Sequence, residues 1–167
     1  MDQVSDIVGR VIGLKDSTTL FLESLSARPL KVIIESQVET KELNEEVLKR
    51  TVKLFFDSVS LPVLFCVSEL YLKKLKEEEY KWLSETLMPI GKIFHLFNQD
   101  AIIKKNNILV VRRQDPLVAK SLNVAFTEIT SKKYDYWVGD RKIGTVCEFF
   151  NAESLGRIWN TKSIRIS

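Results

Sequence analysis

The chain has 167 residues, 45% of them apolar, which suffices for one domain that buries a core and a pocket within it. Its 25 Lys and Arg residues nearly balance its 22 Asp and Glu residues, so the net charge favours neither nucleic acid nor an anionic membrane as a partner. Asp2 and Asp6 lie where a secretion signal needs positive charge, and no apolar run approaches the ~18 residues of a membrane span. We therefore expect a single cytoplasmic domain over residues 1–167.

Common catalytic motifs are absent from the sequence. There is no glycine-rich phosphate loop, serine nucleophile elbow or paired-histidine motif, which removes support for nucleotide hydrolysis, triad hydrolysis and metal catalysis. Cys66 and Cys147 have neither another Cys nor a His nearby, so they are predicted to be buried, unpaired thiols. The one histidine, His95, is predicted to be a packed or surface residue rather than a ligand. We expect no metal and no other cofactor.

The first half of the chain is predicted to contain a short helix followed by strands. Asp16 or Ser17 can cap the helix, which the ARP sequence at 27–29 ends. A β-branched stretch at 30–40 predicts the first strand, and the polar ELNEEVLKR after it fits no single element. Two further strands, TVKLFF at 51–56 and LPVLFCVSELYL at 61–72, are predicted to form a hairpin about a turn at 57–60.

The second half is predicted to contain two helices and more hairpins. Charges surround the apolar residues of 72–88, which is typical of an amphipathic helix with a solvated face. Pro89 suits the first position of a second helix, because its missing N–H would be unpaired there. The later elements are strands 101–105 and 108–113 about a turn at Asn106 and Asn107, a helical turn at 115–122, and a hairpin of 132–138 and 142–150 about Gly139. Strands in hairpins with helices grouped between them predict a single α+β domain with a mostly antiparallel sheet.

Two charged residues fall on apolar faces of predicted strands. Alternation groups Arg50 with the apolar residues of RTVKLFF, and it leaves Glu148 among the apolar residues of GTVCEFF. One interpretation gives Arg50 a structural role only, in which it forms a salt bridge or snorkels at the edge of the strand. The alternative is that it binds the carboxylate of a ligand bidentately. Glu148 either reaches water or lines an apolar pocket, where it would serve as a proton donor.

The start of the second predicted helix, MPIGK, is a candidate anion site. The N–H groups of Ile90, Gly91 and Lys92 are expected to be free at the positive end of the helix dipole. Gly91 permits close approach of a ligand to this backbone.

The segment KKYDYWVGDRK alternates basic and aromatic residues, as a platform for single-stranded nucleic acid does. A hairpin with a solvated face explains it more simply, and the net charge is close to zero. We therefore predict no nucleic-acid partner and no membrane partner.

The order of these segments resembles the chorismate pyruvate-lyase family, including its archaeal and mycobacterial branch. The resemblance runs from about Asp16 to Asn151 and rests on RTVKL, PVLFCVSEL, PIGKIF and YDYWVGDRKIGTVCEFF. It implies an antiparallel sheet with helices covering an enclosed ligand cavity. It also implies that Arg50 binds a carboxylate and that Glu148 is the catalytic acid or base. Ile90 and Gly91 would contribute backbone that orients the substrate.

The implied reaction converts chorismate, a small dianion, to 4-hydroxybenzoate and pyruvate without a cofactor. Breaking the enolpyruvyl ether while the ring loses a hydrogen makes the ring aromatic, so the reaction runs downhill. The enzyme mainly has to hold the substrate and assist departure of the enolpyruvyl group.

One position departs from the family's pattern. Bacterial members tend to carry a second Arg in the strand after the turn, where this chain has Val67 or Ser68. That second Arg contacts the other carboxylate of the substrate. Candidates for the missing cation lie in the middle of the chain: Lys104, Lys105, Arg112 and Arg113.

The alternative is a binding module without chemistry. Effector domains of some bacterial transcription regulators resemble the same fold and bind small anions or sugars. They usually follow a DNA-binding helix-turn-helix, which is not recognised in this sequence, and this favours the enzyme. A third possibility is a relative that has kept the cavity and lost the reaction. The sequence does not predict an oligomeric state.

Overall fold

One antiparallel sheet organises the protein, and helices pack on both of its faces. The computed structural model describes residues 3–56, 61–125 and 127–163. Its elements are α1 (Gln3–Gly13), α2 (Thr18–Ser26), β1 (Leu30–Glu42), β2 (Glu45–Phe56), β3 (Leu64–Tyr71), a 3-10 turn (Leu72–Lys74), α3 (Glu77–Glu85), α4 (Ile90–Phe97), β4 (Ile103–Gln114), α5 (Pro116–Leu122), β5 (Glu128–Val138), β6 (Arg141–Phe150) and α6 (Ala152–Ser163).

Within the described residues the sheet has six strands in the order β1-β2-β3-β6-β5-β4, and every neighbouring pair is antiparallel. The first three strands form one meander and the last three form another, because each strand pairs with its neighbour in the sequence, and the connection between β4 and β5 contains α5. The two meanders meet at a seam where β3 pairs with β6, with Cys66 opposite Glu148. The predicted α+β fold with an antiparallel sheet is confirmed.

Several local predictions are confirmed as well. Ser17 caps α2, where its hydroxyl accepts a hydrogen bond from the N–H of Leu20 at 3.3 Å. β2 pairs with β3 as the predicted hairpin requires, although its turn at 57–60 lies outside the described residues. β5 and β6 pair about Gly139, whose φ of 57° suits a residue without a Cβ.

The prediction for the middle of the chain is wrong. Residues 103–114 form one strand, β4, instead of two strands about a turn. Pairing with β5 shifts between Asn106 and Leu109, and Asn107 adopts a left-handed φ of 53°. An Asn pair suits a bulge as well as a turn, and continued pairing with β5 on both sides selects the bulge.

Helix boundaries also differ from the prediction. α3 begins at Glu77 after the 3-10 turn, so it is shorter than the predicted 72–88. Pro89 is the N-cap residue of α4 instead of its first helical residue, with an extended ψ of 142°. The helices α1 and α6 were not predicted, although Ile7 of α1 and Leu155 of α6 are buried in the same core cluster.

Apolar clusters fill both sides of the sheet. On one side, the first cluster joins α1, α2 and α6 to β1, β2 and β3, and the second joins α3 and α4 to β5 and β6. On the opposite side, α5 packs against Phe65 and Phe149. Among the described residues, no helix is long and apolar enough to cross a membrane.

Candidate ligand-binding site

A cavity lies where the two apolar clusters meet on the more heavily covered side of the sheet. It holds about 520 Å³ of space, including the part that opens to solvent. Its walls come from the start of α2, four strands of the sheet on both sides of the seam, β4 and the start of α4: Ser17, Thr18, Thr19, Arg50, Val52, Leu54, Leu64, Cys66, Ser68, Pro89, Ile90, Gly91, Lys105, Tyr134, Tyr136, Val146 and Glu148.

All four site residues predicted from the sequence line this cavity. Arg50 comes from β2, Ile90 and Gly91 from the start of α4, and Glu148 from β6. The strand alternation that turned Arg50 and Glu148 inward is confirmed, since both are almost fully buried, with 1% and 5% of their surface exposed. The roles of these residues remain predictions.

Arg50 is held in place but is not fully paired. Its Nε donates to Gln37 Oε1 at 3.1 Å and its Nη2 to the carbonyl of Met88 at 3.4 Å. Its Nη1 is buried and has no hydrogen-bond partner within the described part of the chain. Burial lowers the pKa of Arg50 to about 10, which still leaves the guanidinium charged near neutral pH. A solvated surface position for Arg50 is therefore excluded.

Glu148 accepts hydrogen bonds from two hydroxyl groups. Tyr134 donates to Oε1 at 3.1 Å, and Thr18 donates to Oε2 at 3.0 Å. Lys105 Nζ lies 3.9 Å from Oε2 and donates to the Thr18 hydroxyl at 2.7 Å. The side chains of Lys105, Thr18, Glu148 and Tyr134 thus form a continuous chain of hydrogen-bonding groups.

Lys105 is the one of the four candidate cations that reaches the cavity. Lys104, Arg112 and Arg113 are exposed on the same edge strand, β4. Burial lowers the pKa of Lys105, and the nearby carboxylate of Glu148 opposes this change. Lys105 therefore brings a buried amine group to the cavity from a strand four positions away from that of Arg50.

A second buried lysine, Lys132, lies beside the cavity, near Tyr134. Lys132 Nζ donates to the carbonyl of Leu14, and the side chain is fully buried. Burial, and then the neighbouring charge of Lys105, lowers the pKa of Lys132 to about 8. The Nζ atoms of Lys105 and Lys132 lie 4.7 Å and 5.9 Å from the ring centre of Tyr134.

The start of α4 offers fewer free donors than predicted. The N–H of Lys92 donates to the carbonyl of Pro89 at 3.0 Å, so the prediction that it is free is wrong. A short 3-10 bond of this kind is common in the first turn of a helix. Gly91 has a packing role too, because a Cβ there would lie 2.7 Å from Ser17 Oγ.

Tyr134, Tyr136 and Thr18 were not predicted as site residues. Alternation in KKYDYWV places both tyrosines on the buried face, and this was the signal available in the sequence. The hydroxyl of Tyr136 is buried without a hydrogen-bond partner among the described residues, and burial raises its pKa. Thr18 reaches the site through the cap of α2, which no sequence pattern connects with Glu148.

The histidine and the two cysteines show no catalytic or metal-binding arrangement among the described residues. His95 is exposed, which agrees with the prediction that it is a packed or surface residue. Cys66 and Cys147 are both free, with Cys66 buried in the cavity wall and Cys147 partly buried. Within the described ranges, no group of His, Cys, Asp and Glu side chains is arranged to hold a metal ion.

Comparison with known proteins relates the fold to regulator domains. No family model and no curated protein sequence matches the chain. The effector domain of PhnF from Mycobacterium smegmatis matches with a TM-score of 0.60 and 13% identity, over 83% of this chain and 90% of that chain. A longer structure of the same PhnF gives a TM-score of 0.64 and 11% identity, over 84% of this chain and 66% of that chain.

A third solved structure is the ligand-binding domain of a protein assigned to the GntR family of transcriptional regulators, from Bordetella bronchiseptica. It matches with a TM-score of 0.59 and 12% identity, over 73% of this chain and 85% of that chain. Identities this low establish a shared fold and nothing finer. The protein therefore has the α+β fold of these effector-binding domains.

Proposed function

We propose that this domain binds a small organic anion as an effector-type ligand. The observation that carries the proposal is Arg50, a buried guanidinium in a cavity wall with Nη1 unpaired among the described residues. A buried charge without a full set of partners is costly, and a ligand carboxylate would complete its hydrogen bonds in a bidentate geometry.

The cavity also indicates the shape of the ligand. Arg50 and Lys105 lie on β2 and β4, which are separated by three strands of the sheet. The wall between them contains Val52, Leu64 and Val146, which suit a ring or a short alkyl chain. A carboxylate at Arg50, an apolar middle and a second acceptor near Lys105 would match these groups.

The similar solved structures support a binding function more than catalysis. Their names describe an effector domain and a ligand-binding domain of regulators. The site chemistry agrees with this, since binding requires only the complementary charges and walls described above.

Calorimetric titration with matched ligands tests the proposal. We expect 4-hydroxybenzoate to bind and 4-hydroxybenzamide, which has the same ring but no charge, to bind much more weakly. Equal binding of the two ligands would contradict an anion site at Arg50. So would a failure of every carboxylate in a panel of aromatic and aliphatic acids to bind.

A second candidate function is the chorismate lyase reaction. It is favoured by the chain of Lys105, Thr18, Glu148 and Tyr134, which could hold or move a proton in the cavity that contains Arg50. In this mechanism Arg50 would anchor the ring carboxylate, Ile90 and Gly91 would orient the ring, and Glu148 would assist departure of the enolpyruvyl group. Lys105 would take the place of the missing second Arg.

Chorismate itself distinguishes the two functions. A lyase would release 4-hydroxybenzoate, seen by its ultraviolet absorbance, and Glu148→Gln would lower turnover by ~10²-fold while product still bound. Tight binding of 4-hydroxybenzoate without any turnover of chorismate would exclude the lyase reaction and support only the effector-binding function.

A further inference from the structure

Lys105 lines the cavity, where its side chain could act as a nucleophilic amine as well as a cationic contact. It lies on β4, an edge strand that is exposed along most of its length, yet its own side chain is only 1% exposed. Its Nζ donates to the Thr18 hydroxyl at 2.7 Å and stands 4.7 Å from the ring centre of Tyr134. An amine in this position faces any molecule that fills the cavity.

The surroundings of Lys105 favour a reactive amine. Burial removes water from the ammonium form and lowers its pKa, although the Glu148 carboxylate opposes this. Lys132 brings a second buried cation to the same tyrosine ring. A lysine that is desolvated and close to another cationic group is the setting in which proteins use lysine as a nucleophile toward carbonyl carbons.

We propose that Lys105 condenses reversibly with the carbonyl of a small oxo acid whose carboxylate is held by Arg50. This inference rests on the proposed anion-binding function and adds the chemical class of the ligand. Once the ammonium has passed a proton through Thr18 to Glu148, the Nζ lone pair forms a bond to the carbonyl carbon, the C=O π bond breaks, and a carbinolamine results. The nitrogen then loses two protons in all, the former carbonyl oxygen gains two and leaves as water, and a C=N bond remains.

The groups that carry these protons are already in contact with the amine or with one another. Thr18 bridges Lys105 and Glu148 by hydrogen bonds, and Tyr134 donates to the other oxygen of Glu148. Proton transfer through such positioned groups accelerates both the addition and the loss of water. The condensation is neither oxidation nor reduction, so it needs no further reactant.

The fold also sets the length of the ligand. Arg50 and Lys105 are four strand positions apart in the sheet, and each step is ~4.8 Å, so we expect a ligand that contacts both side chains to have its two polar ends well separated. The carbonyl must therefore lie at the far end of the molecule from the carboxylate. 4-Formylbenzoate has this arrangement, whereas the carbonyl of pyruvate adjoins its carboxylate.

Reductive trapping tests this inference. The folded protein is incubated with 4-formylbenzoate and cyanoborohydride, and the product is examined by intact mass and by peptide mapping. We expect one reduced adduct, located on Lys105, and we expect 4-hydroxybenzoate to compete with its formation. Pyruvate and benzaldehyde, which lack the required length or the carboxylate, should label Lys105 far less.

Variants on the same strand provide the control. Lys105→Arg keeps the positive charge but cannot form an imine, so the adduct should be lost. Lys104→Arg changes the exposed neighbouring lysine and should leave the adduct unchanged. Because the adduct is mapped in the unaltered protein, the test does not depend on the folding of either variant.

The two proposals fail in distinguishable ways. If 4-hydroxybenzoate binds but no adduct forms at Lys105, the imine is excluded and the anion site stands. Labelling spread over surface lysines without preference for Lys105 would also exclude the imine. If neither molecule binds and no adduct forms, both proposals are overturned.

Discussion

Glu79 and Glu148 are both buried carboxylates, but their hydrogen-bond partners differ in kind. Glu79 on α3 accepts two hydrogen bonds from Arg141, at 2.8 Å and 3.1 Å, and one from Asn98 at 2.7 Å. The N–H of Lys76 adds another at 2.7 Å. Burial would raise the pKa of Glu79, but the hydrogen bonds from Arg141 and its neighbours outweigh burial and lower it.

Glu148 lies in a site whose hydrogen bonds are not all made. The carboxylate is bonded to hydroxyl groups, and Lys105 stands 3.9 Å away instead of in direct contact. Nearby, Arg50 Nη1 and the Tyr136 hydroxyl are unpaired among the described residues. A buried polar network that is complete stabilises the fold, whereas one that is incomplete and faces a cavity is suited to a ligand.

The largest expected effect concerns the complete network. Glu79→Gln would leave Arg141 without its carboxylate partner and should lower the free energy of unfolding by about 3 kcal/mol, as measured by urea denaturation. Binding of 4-hydroxybenzoate to the folded variant should not change. Glu78→Gln alters an exposed carboxylate one residue away and serves as the control. Similar stabilities for the two variants would show that the Glu79 network is not structural.

Arg50→Lys should weaken ligand binding and leave stability nearly unchanged, which is the opposite of the effect expected for Glu79→Gln. Loss of the bidentate grip is expected to weaken binding of 4-hydroxybenzoate by about 100-fold, while stability stays nearly constant. Arg112→Lys makes the same change at an exposed position on β4. Titration calorimetry would argue against a carboxylate grip if Arg50→Lys bound as tightly as this control.

Lys132 gives the stability of the protein a pH dependence in the alkaline range. Because its pKa is lowered to about 8 in the folded protein, the unfolded chain binds more protons above that pH. The free energy of unfolding, compared with that of Lys132→Met, should rise by about 2 kcal/mol from pH 8 toward the ordinary lysine range. The cost of the buried charge is fully present below pH 8.

Denaturation of both proteins across this pH range measures that difference. Lys133→Met, at the exposed next position, should show no such dependence relative to the unaltered protein. A constant difference between the unaltered protein and Lys132→Met would mean that Lys132 titrates like an exposed lysine.

The smallest expected effect is at Gly91. In Gly91→Ala the new Cβ displaces Ser17 Oγ, and the lost cap of α2 costs about 1 kcal/mol, which the better helix propensity of Ala offsets. Gly9→Ala, where nothing lies within 4 Å of the added Cβ, should instead stabilise the protein by about 1 kcal/mol. Thermal unfolding compares the two, and equal gains would show that α4 does not pack against Ser17.

The sequence contained the signals for Arg50 and Glu148, because each interrupts a strand whose inward residues are otherwise apolar. Lys105 could not be separated from its basic neighbours in the same way. β4 is exposed on both sides, so no apolar alternation marks its inner face. The direction of each β4 side chain also depends on the shift in pairing near Asn107, where the sequence pattern predicts a turn. The position of Thr18 in the site could not be predicted either, because it depends on how α2 packs over the sheet.

The seam between β3 and β6 has a consequence for how the protein folds and opens. Each meander can form from neighbouring hairpins, but the seam joins segments far apart in sequence, so its pairing should be the slow step in folding. Arg50 belongs to one meander, and Tyr134 and Lys105 belong to the other. A bound ligand would therefore hold the two meanders together and slow their separation. Hydrogen exchange should show this as added protection of the amides of β3 and β6, with little change in the β1–β2 hairpin.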